Sequence, residues 1–189
     1  MSGSVEGRSI IFATDGSQGS ATAEAYAFAL ARSWDVLLTV LHVLEFPSGL
    51  DPDNPVNRLY LAELMKQATQ ELIELKARAA GRGISVETKI TTGIPREEVL
   101  AAATDEASDL IVVGTRGRTG LAHVLLGSTA ERIIRAAPCP VLAVHAERSE
   151  KESAGGARHN PSGIQRILVP IDFSDCSLDA LEYGALVAQ

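Results

Sequence analysis

Leu110-Ile111-Val112-Val113-Gly114-Thr115-Arg116-Gly117, separated by nine residues from Gly127-Ser128-Thr129-Ala130-Glu131-Arg132-Ile133-Ile134-Arg135, decides the fold of this 189-residue chain. Leu110 to Val113, preceded by Asp109, is an unbroken apolar run of strand length, so Gly114 marks the exit from a strand into a loop. Gly127 opens a segment in which Ile133 and Ile134 are flanked by charges, as an amphipathic helix requires. Glycine removes the Cβ that would hold a phosphate at a distance, and a helix start supplies unpaired N–H groups at the positive end of a dipole. Such geometry favours a polyphosphate. Ser128 and Glu131 also have the spacing of a capping box, which a helix uses whether or not it binds anything. A cap does not require the further glycines 114 and 117, nor Arg116 and Arg118 beside them. Those two arginines either reach the β and γ phosphates or face solvent.

Working outward, Arg8 to Thr14 reads as a buried strand and Gln18 to Ser33 as a helix. Val36 to Leu44 is a second apolar run, of the kind expected in a strand covered on both faces. Leu59 to Arg82 has Leu61, Leu64, Met65, Ala68, Leu72 and Leu75 at helical spacings and is stopped by Gly81 and Gly83. A strand at Ile84 to Thr91, a helix from Pro95 to Ala107, the strand Leu110 to Val113, the motif helix and a strand at Cys139 to His145 follow. Five strands alternating with four helices predict an α/β fold: an open five-stranded parallel sheet in the order 3-2-1-4-5, with helices on both faces and right-handed crossovers. In that order the winding reverses between the first and fourth strands, and ligands sit beyond the carboxyl ends of strands at the reversal. Strand one ends at Ala13-Thr14-Asp15-Gly16-Ser17 and strand four at Gly114, so both signals converge on one crevice.

The chain resembles the universal stress protein family over roughly Arg8 to Ala146, which implies a Rossmann-like, adenine nucleotide alpha hydrolase-like domain at 8–146. The likeness rests on Ala13-Thr14-Asp15-Gly16-Ser17, on Leu41-His42-Val43, on Val113-Gly114-x-x-Gly117-x9-Gly127-Ser128, and on Pro138-Cys139-Pro140-Val141-Leu142. The family's nucleotide-binding branch carries this glycine spacing. The resemblance implies that Ala13, Thr14, Asp15 and Val43 approach adenine and ribose, and that Val113, Gly114, Gly117, Gly127, Ser128 and Thr129 hold ribose and phosphates. It implies ATP as the ligand, with Mg2+ or Mn2+ as a possible companion. Asp15 would repel a triphosphate unless it faces adenine, ribose or a metal-bound water, and its plainer role is to accept turn amides and cap the helix that starts near Ser17. The Walker lysine is missing and no base is evident for an attacking water. The expectation is a nucleotide-occupied stress-response switch with slow or no hydrolysis. A non-nucleotide interaction module is the alternative. A nucleotidyl-transfer enzyme is disfavoured because Thr14-Asp15-Gly16-Ser17 stands where a Ser-Gly-Gly-x-Asp-Ser loop would be needed.

Composition narrows the partners. A net charge of -7 disfavours nucleic acid, whose phosphates dominate such affinity, and no apolar run approaches membrane-spanning length. Residues 1–7 carry neither a basic cluster nor an apolar core, so a cytoplasmic location is expected. Cys139 and Cys176 lack metal or redox-pair spacing, and the four histidines form no ligand cluster. The apolar last strand, Val141-Leu142-Ala143-Val144, is the expected seam of a homodimer or of a pseudo-dimer in a tandem chain, and an unidentified protein partner completes the switch.

Residues 147–165 are polar and aperiodic and read as a flexible linker. Beyond them the opening strand and helix recur at an offset of 157, with identities at Ile10/Ile167, Asp15/Asp172, Ser17/Ser174, Ser20/Ser177, Ala23/Ala180, Tyr26/Tyr183 and Ala31/Ala188. Residues 166–189 are therefore expected to be the truncated strand-helix start of a second repeat.

Overall fold

The structure, a computed structural model, describes residues 8–45, 54–115, 126–145, 164 and 166–188. They fall into two compact units, one within 1–156 and one within 157–189. The apolar runs of the first unit become five strands: β1 (Ser9–Thr14), β2 (Leu37–Leu44), β3 (Val86–Thr92), β4 (Leu110–Gly114) and β5 (Val141–Val144). They are joined by α1 (Gln18–Trp34), α2 (Pro55–Ala80), α3 (Pro95–Asp105) and α4 (Ser128–Ala136). All pairings are parallel and the order is β3-β2-β1-β4-β5, as the alternation requires.

Side chains on a strand alternate between faces, and the two cores follow that period. Ile11, Leu41, Ile111 and Val113 bury against Val99 and Ala103 of α3 and Ala130 and Ile133 of α4. Ile10, Phe12, Leu38, Val40 and Val112, all buried, alternate with them and meet the face covered by α1 and α2. The sheet centre is registered with Ala13 between Leu41 and Val113. At its opening end, Asp109 Oδ2 accepts the Ser9 N–H at 2.8 Å while the Asp109 N–H donates to the Ser9 carbonyl, which locks β1 and β4 together.

Element ends depart from the sequence expectation where local chemistry outranks apolar period. Helix α2 starts at Pro55 rather than Leu59, because Asn54 Oδ1 caps the Val56 N–H at 3.0 Å and proline suits the first turn. Its first turns are exposed, so they leave no apolar signature. Ile84 is buried in the turn after α2, with its N–H on the Ala79 carbonyl, and β3 begins only at Val86. Helix α3 ends at Asp105 because Ala107 turns left-handed at φ 47°. Strand β5 begins after Pro140, which lacks an N–H but accepts from Ile111 through its carbonyl.

In the second unit, α5 (Asp175–Val187) is capped by Ser174, whereas the expected strand before it joins no sheet among the described residues. A strand needs a neighbour to satisfy its backbone, and this segment instead lies along α5, with Val169 and Ile167 against Gly184. Asp172 accepts from the Ser174 hydroxyl at 2.6 Å and from the Ser174 N–H at 2.9 Å.

Gly114 is fixed by packing: a Cβ there would lie 2.9 Å from the backbone carbon and oxygen of Gly19 in α1. Gly114→Ala should therefore destabilise the domain by about 1–3 kcal/mol in urea denaturation, the usual cost of overpacking against an unyielding neighbour. The hydroxyl and then the amide of Ser174 lower the Asp172 carboxyl to about 2. Its charged form is favoured in the folded state, so the turn's contribution is present above the usual carboxylate range and is lost as pH falls through about 2. A carbon-detected NMR titration should find that midpoint, and Ser174→Ala should return it toward 3.8.

Candidate functional site

A crevice of ≈ 720 Å³ opens at the carboxyl ends of β1, β2 and β4, where the winding of the sheet reverses. Nine of the residues singled out from sequence line it: Ala13, Thr14, Asp15, Val43, Val113, Gly114, Gly127, Ser128 and Thr129. Arg116, Gly117 and Arg118 lie outside the described residues.

At the β1 exit, Asp15 Oδ1 accepts the Ser17 N–H at 3.0 Å and the Ser20 hydroxyl at 2.7 Å. Ser17 in turn caps α1 by accepting the Ser20 N–H. Gly16 takes φ 73° in this turn, a conformation glycine adopts without steric cost, and a Cβ there would displace the Glu71 carboxylate of α2. Asp15 is thus a structural acceptor at the rim of the crevice, and its carboxylate is oriented by the helix it helps to start.

At the β4 exit, the Gly127 N–H donates to the Thr115 carbonyl at 2.8 Å, which pinches together the two ends of the intervening loop. Thr115, buried, shares a hydrogen bond of 3.0 Å with His145 Nδ1 and so ties this exit to the end of β5. The capping box is not formed. Gly127, extended at φ -67° and ψ 149°, is itself the N-cap, so Ser128 already has helical geometry. Glu131 pairs with Arg135 one turn on, and α4 begins without a side-chain cap. Its first amides therefore open toward the crevice with the positive end of the helix dipole.

Several lining residues were not singled out as site residues from the sequence. Tyr60 and Leu64 reach in from α2, Ile94 and Arg96 from the start of α3, and Arg132 from α4. The rule that ligands sit beyond strand carboxyl ends, applied to β3, would have found Ile94 and Arg96. His42, only 1% exposed, lies on the α2 face of β2 with Nδ1 3.8 Å from Glu71 Oε2. Burial, followed by the negative charge of Asp109, pushes the Cys139 thiol up, which suits a packing residue. Among the described residues no group of three His, Cys, Asp or Glu side chains could hold a metal ion.

Fold and crevice together define a doubly wound α/β domain with its crevice at the switch point. Residues 7–145 match the universal stress protein family, and the chain belongs to that family. A universal stress protein of Methanocaldococcus jannaschii is 34% identical over 144 residues, spanning 76% of this chain and 85% of that protein. A universal stress protein solved in complex with cAMP superposes with a TM-score of 0.59 at 26% identity, over 74% of this chain and 98% of that one. A universal stress protein from Archaeoglobus fulgidus superposes with a TM-score of 0.72 over 97% of this chain and 63% of that one, a likeness of fold at 23% identity.

Ser20 is buried and its hydroxyl is what holds Asp15 in place. Ser20→Ala should cost about 1–3 kcal/mol in urea denaturation, the penalty for leaving a half-buried carboxylate short of a donor.

Proposed function

We propose that the protein is an ATP-binding stress-response regulator, in which the bound nucleotide sets the surface presented to a protein partner and hydrolysis is slow or absent. The observation that carries this is the uncapped start of α4, with Gly127, Ser128 and Thr129 facing a crevice of ≈ 720 Å³ that is apolar at Val43 and Val113. A polyphosphate takes the place of the missing cap, and the apolar wall receives the base. The relative solved with cAMP supports an adenine nucleotide as the class of ligand. Micromolar affinity requires about 8 kcal/mol, and a handful of hydrogen bonds to charged oxygens at about 1.5–3 kcal/mol each supplies it after ordering costs. Mg2+ or Mn2+ accompanies the phosphates, with Asp15 reaching it through water. Asp15 Oδ1 already holds the α1 turn, which suits binding better than turnover.

Two features of assembly belong to the same proposal. Strand β5 is an apolar edge of the sheet, suited to pairing with its counterpart in a homodimer. Residues 166–189 begin a second repeat, since the Asp172, Ser174 and Ser177 turn copies the hydrogen bonds of Asp15, Ser17 and Ser20.

The test adds a charge without harming the helix. Ser128→Glu places an acid in the first turn of α4, where it favours the dipole, yet sets it where the phosphates would rest. Equilibrium binding should show ATP held at micromolar affinity by the unaltered protein and at least about tenfold more weakly by Ser128→Glu, with no fall in melting temperature. An unaltered, folded protein that takes up no ATP at millimolar concentration would overturn the proposal.

A further inference from the structure

We infer that the outer end of the crevice is a clamp for the base, in which Tyr60 of α2 and Ile94 at the start of α3 press on its two faces; this rests on the nucleotide reading of the site given above. Helix α2 buries Ala68, Leu72, Leu75 and Ala79 and packs on β2 and β3 through that half. Its first half contributes no buried residue, because a crossover helix runs back along the strands and here starts beyond their carboxyl ends. Tyr60 and Leu64 on that overhang line the crevice from the α1 and α2 face of the sheet.

Ile94 comes from the other face and is held rigidly. The Gly93 N–H donates to the Leu44 carbonyl at 3.1 Å, and the Thr91 hydroxyl donates to Glu98 Oε2 at 2.7 Å, which lays the Glu98 side chain across the turn. Pro95 then fixes the next φ. Ile94 is the N-cap of α3, a position where Ser, Thr, Asp and Asn serve best, and it provides no cap hydrogen bond. It is also 52% exposed, and Tyr60 is 50% exposed. An isoleucine there loses on helix capping and on solvation together, and it gains only when an apolar surface covers it.

The occupant that fits is a flat ring with apolar faces. Val43 at the end of β2 and Val99 of α3 line the crevice between the two walls. The phosphate end lies at α4, beyond β4, and β2 stands two strands from β4, about 10 Å at ordinary strand spacing. A ribose bridges that interval. Stacking on an aromatic ring and an aliphatic side chain holds a base by its faces and is indifferent to the charge on the phosphates.

Equilibrium binding of adenosine, ATP and inorganic tripolyphosphate separates the clamp from the phosphate end. Tyr60→Ala and Ile94→Asn should each weaken adenosine and ATP equally, by about tenfold, and leave tripolyphosphate unchanged. Tyr60→Phe should bind as the unaltered protein does. Ile94→Asn should melt no lower, because asparagine is the better cap, so weakened binding would not reflect unfolding. Variants that bind adenosine as tightly as the unaltered protein, or that lose ATP while keeping adenosine, would overturn the clamp and leave the nucleotide reading intact. Binding of none of the three probes by the unaltered protein would overturn the nucleotide reading itself.

Discussion

The backbone of Gly114 lies against that of Gly19, and the geometry of the crevice depends on this approach. A single Cβ at Gly114 would come within 2.9 Å of the main chain of α1. Because that main chain cannot swing aside as a flexible side chain would, α1 would have to lift from β4. Asp15 and Ser20, which connect the β1 exit to the first turn of α1, would move with it. Glycine here serves the contact between helix and strand before it serves any ligand. The room left for an anion at the switch point is a consequence of how closely α1 is seated.

Helix capping differs among the elements around the crevice. Helices α1, α2 and α5 start at Ser17, Asn54 and Ser174, each of which accepts a backbone N–H through its side chain. Helices α3 and α4 start at Ile94 and Gly127 with no side-chain cap, and these two starts line the crevice. Local stability is lower at these two starts, whereas α1, whose first-turn Ser20 also lines the crevice, keeps its side-chain cap. Arg96 and Arg132, one on each of those helices, add positive charge where Glu97, Glu98 and Glu131 place acids in the first turns.

Much of this was legible in the sequence, because parallel strands buried on both faces announce themselves as apolar runs and the glycines punctuate their exits. The parallel sheet followed from alternation, and the convergence of the strand-one exit at Asp15 with the strand-four exit at Gly114 followed from the common order 3-2-1-4-5. Ser128 was harder: its spacing to Glu131 satisfies a capping box, yet the box fails because the preceding glycine adopts the extended conformation and takes the cap position. Tyr60 could not be read from pattern, since it is half exposed and carries no charge, whereas Ile94 was open to the strand-end rule applied to β3. Their place at the crevice comes from how far α2 overhangs the sheet and from a turn braced by Thr91 and Glu98. Such facts belong to tertiary structure.

The two copies of the Asp-x-Ser-x-x-Ser turn separate what is local from what is not. In both, the aspartate accepts the N–H of the serine two residues on, and the second serine donates its hydroxyl to the carbonyl of the first. The second copy makes these bonds beside a segment that joins no sheet among the described residues, so the turn is set by its own few residues. It even holds Phe173 at φ 65°, where the first copy has Gly16 at φ 73°. At 16 a side chain would in addition displace the Glu71 carboxylate, the far end of a flexible and half-exposed side chain. Phe173, by contrast, is 87% exposed. A shared turn thus becomes part of a crevice only where α2, β2 and β4 close around it, and the crevice is a property of the assembled sheet rather than of the motif that first draws the eye.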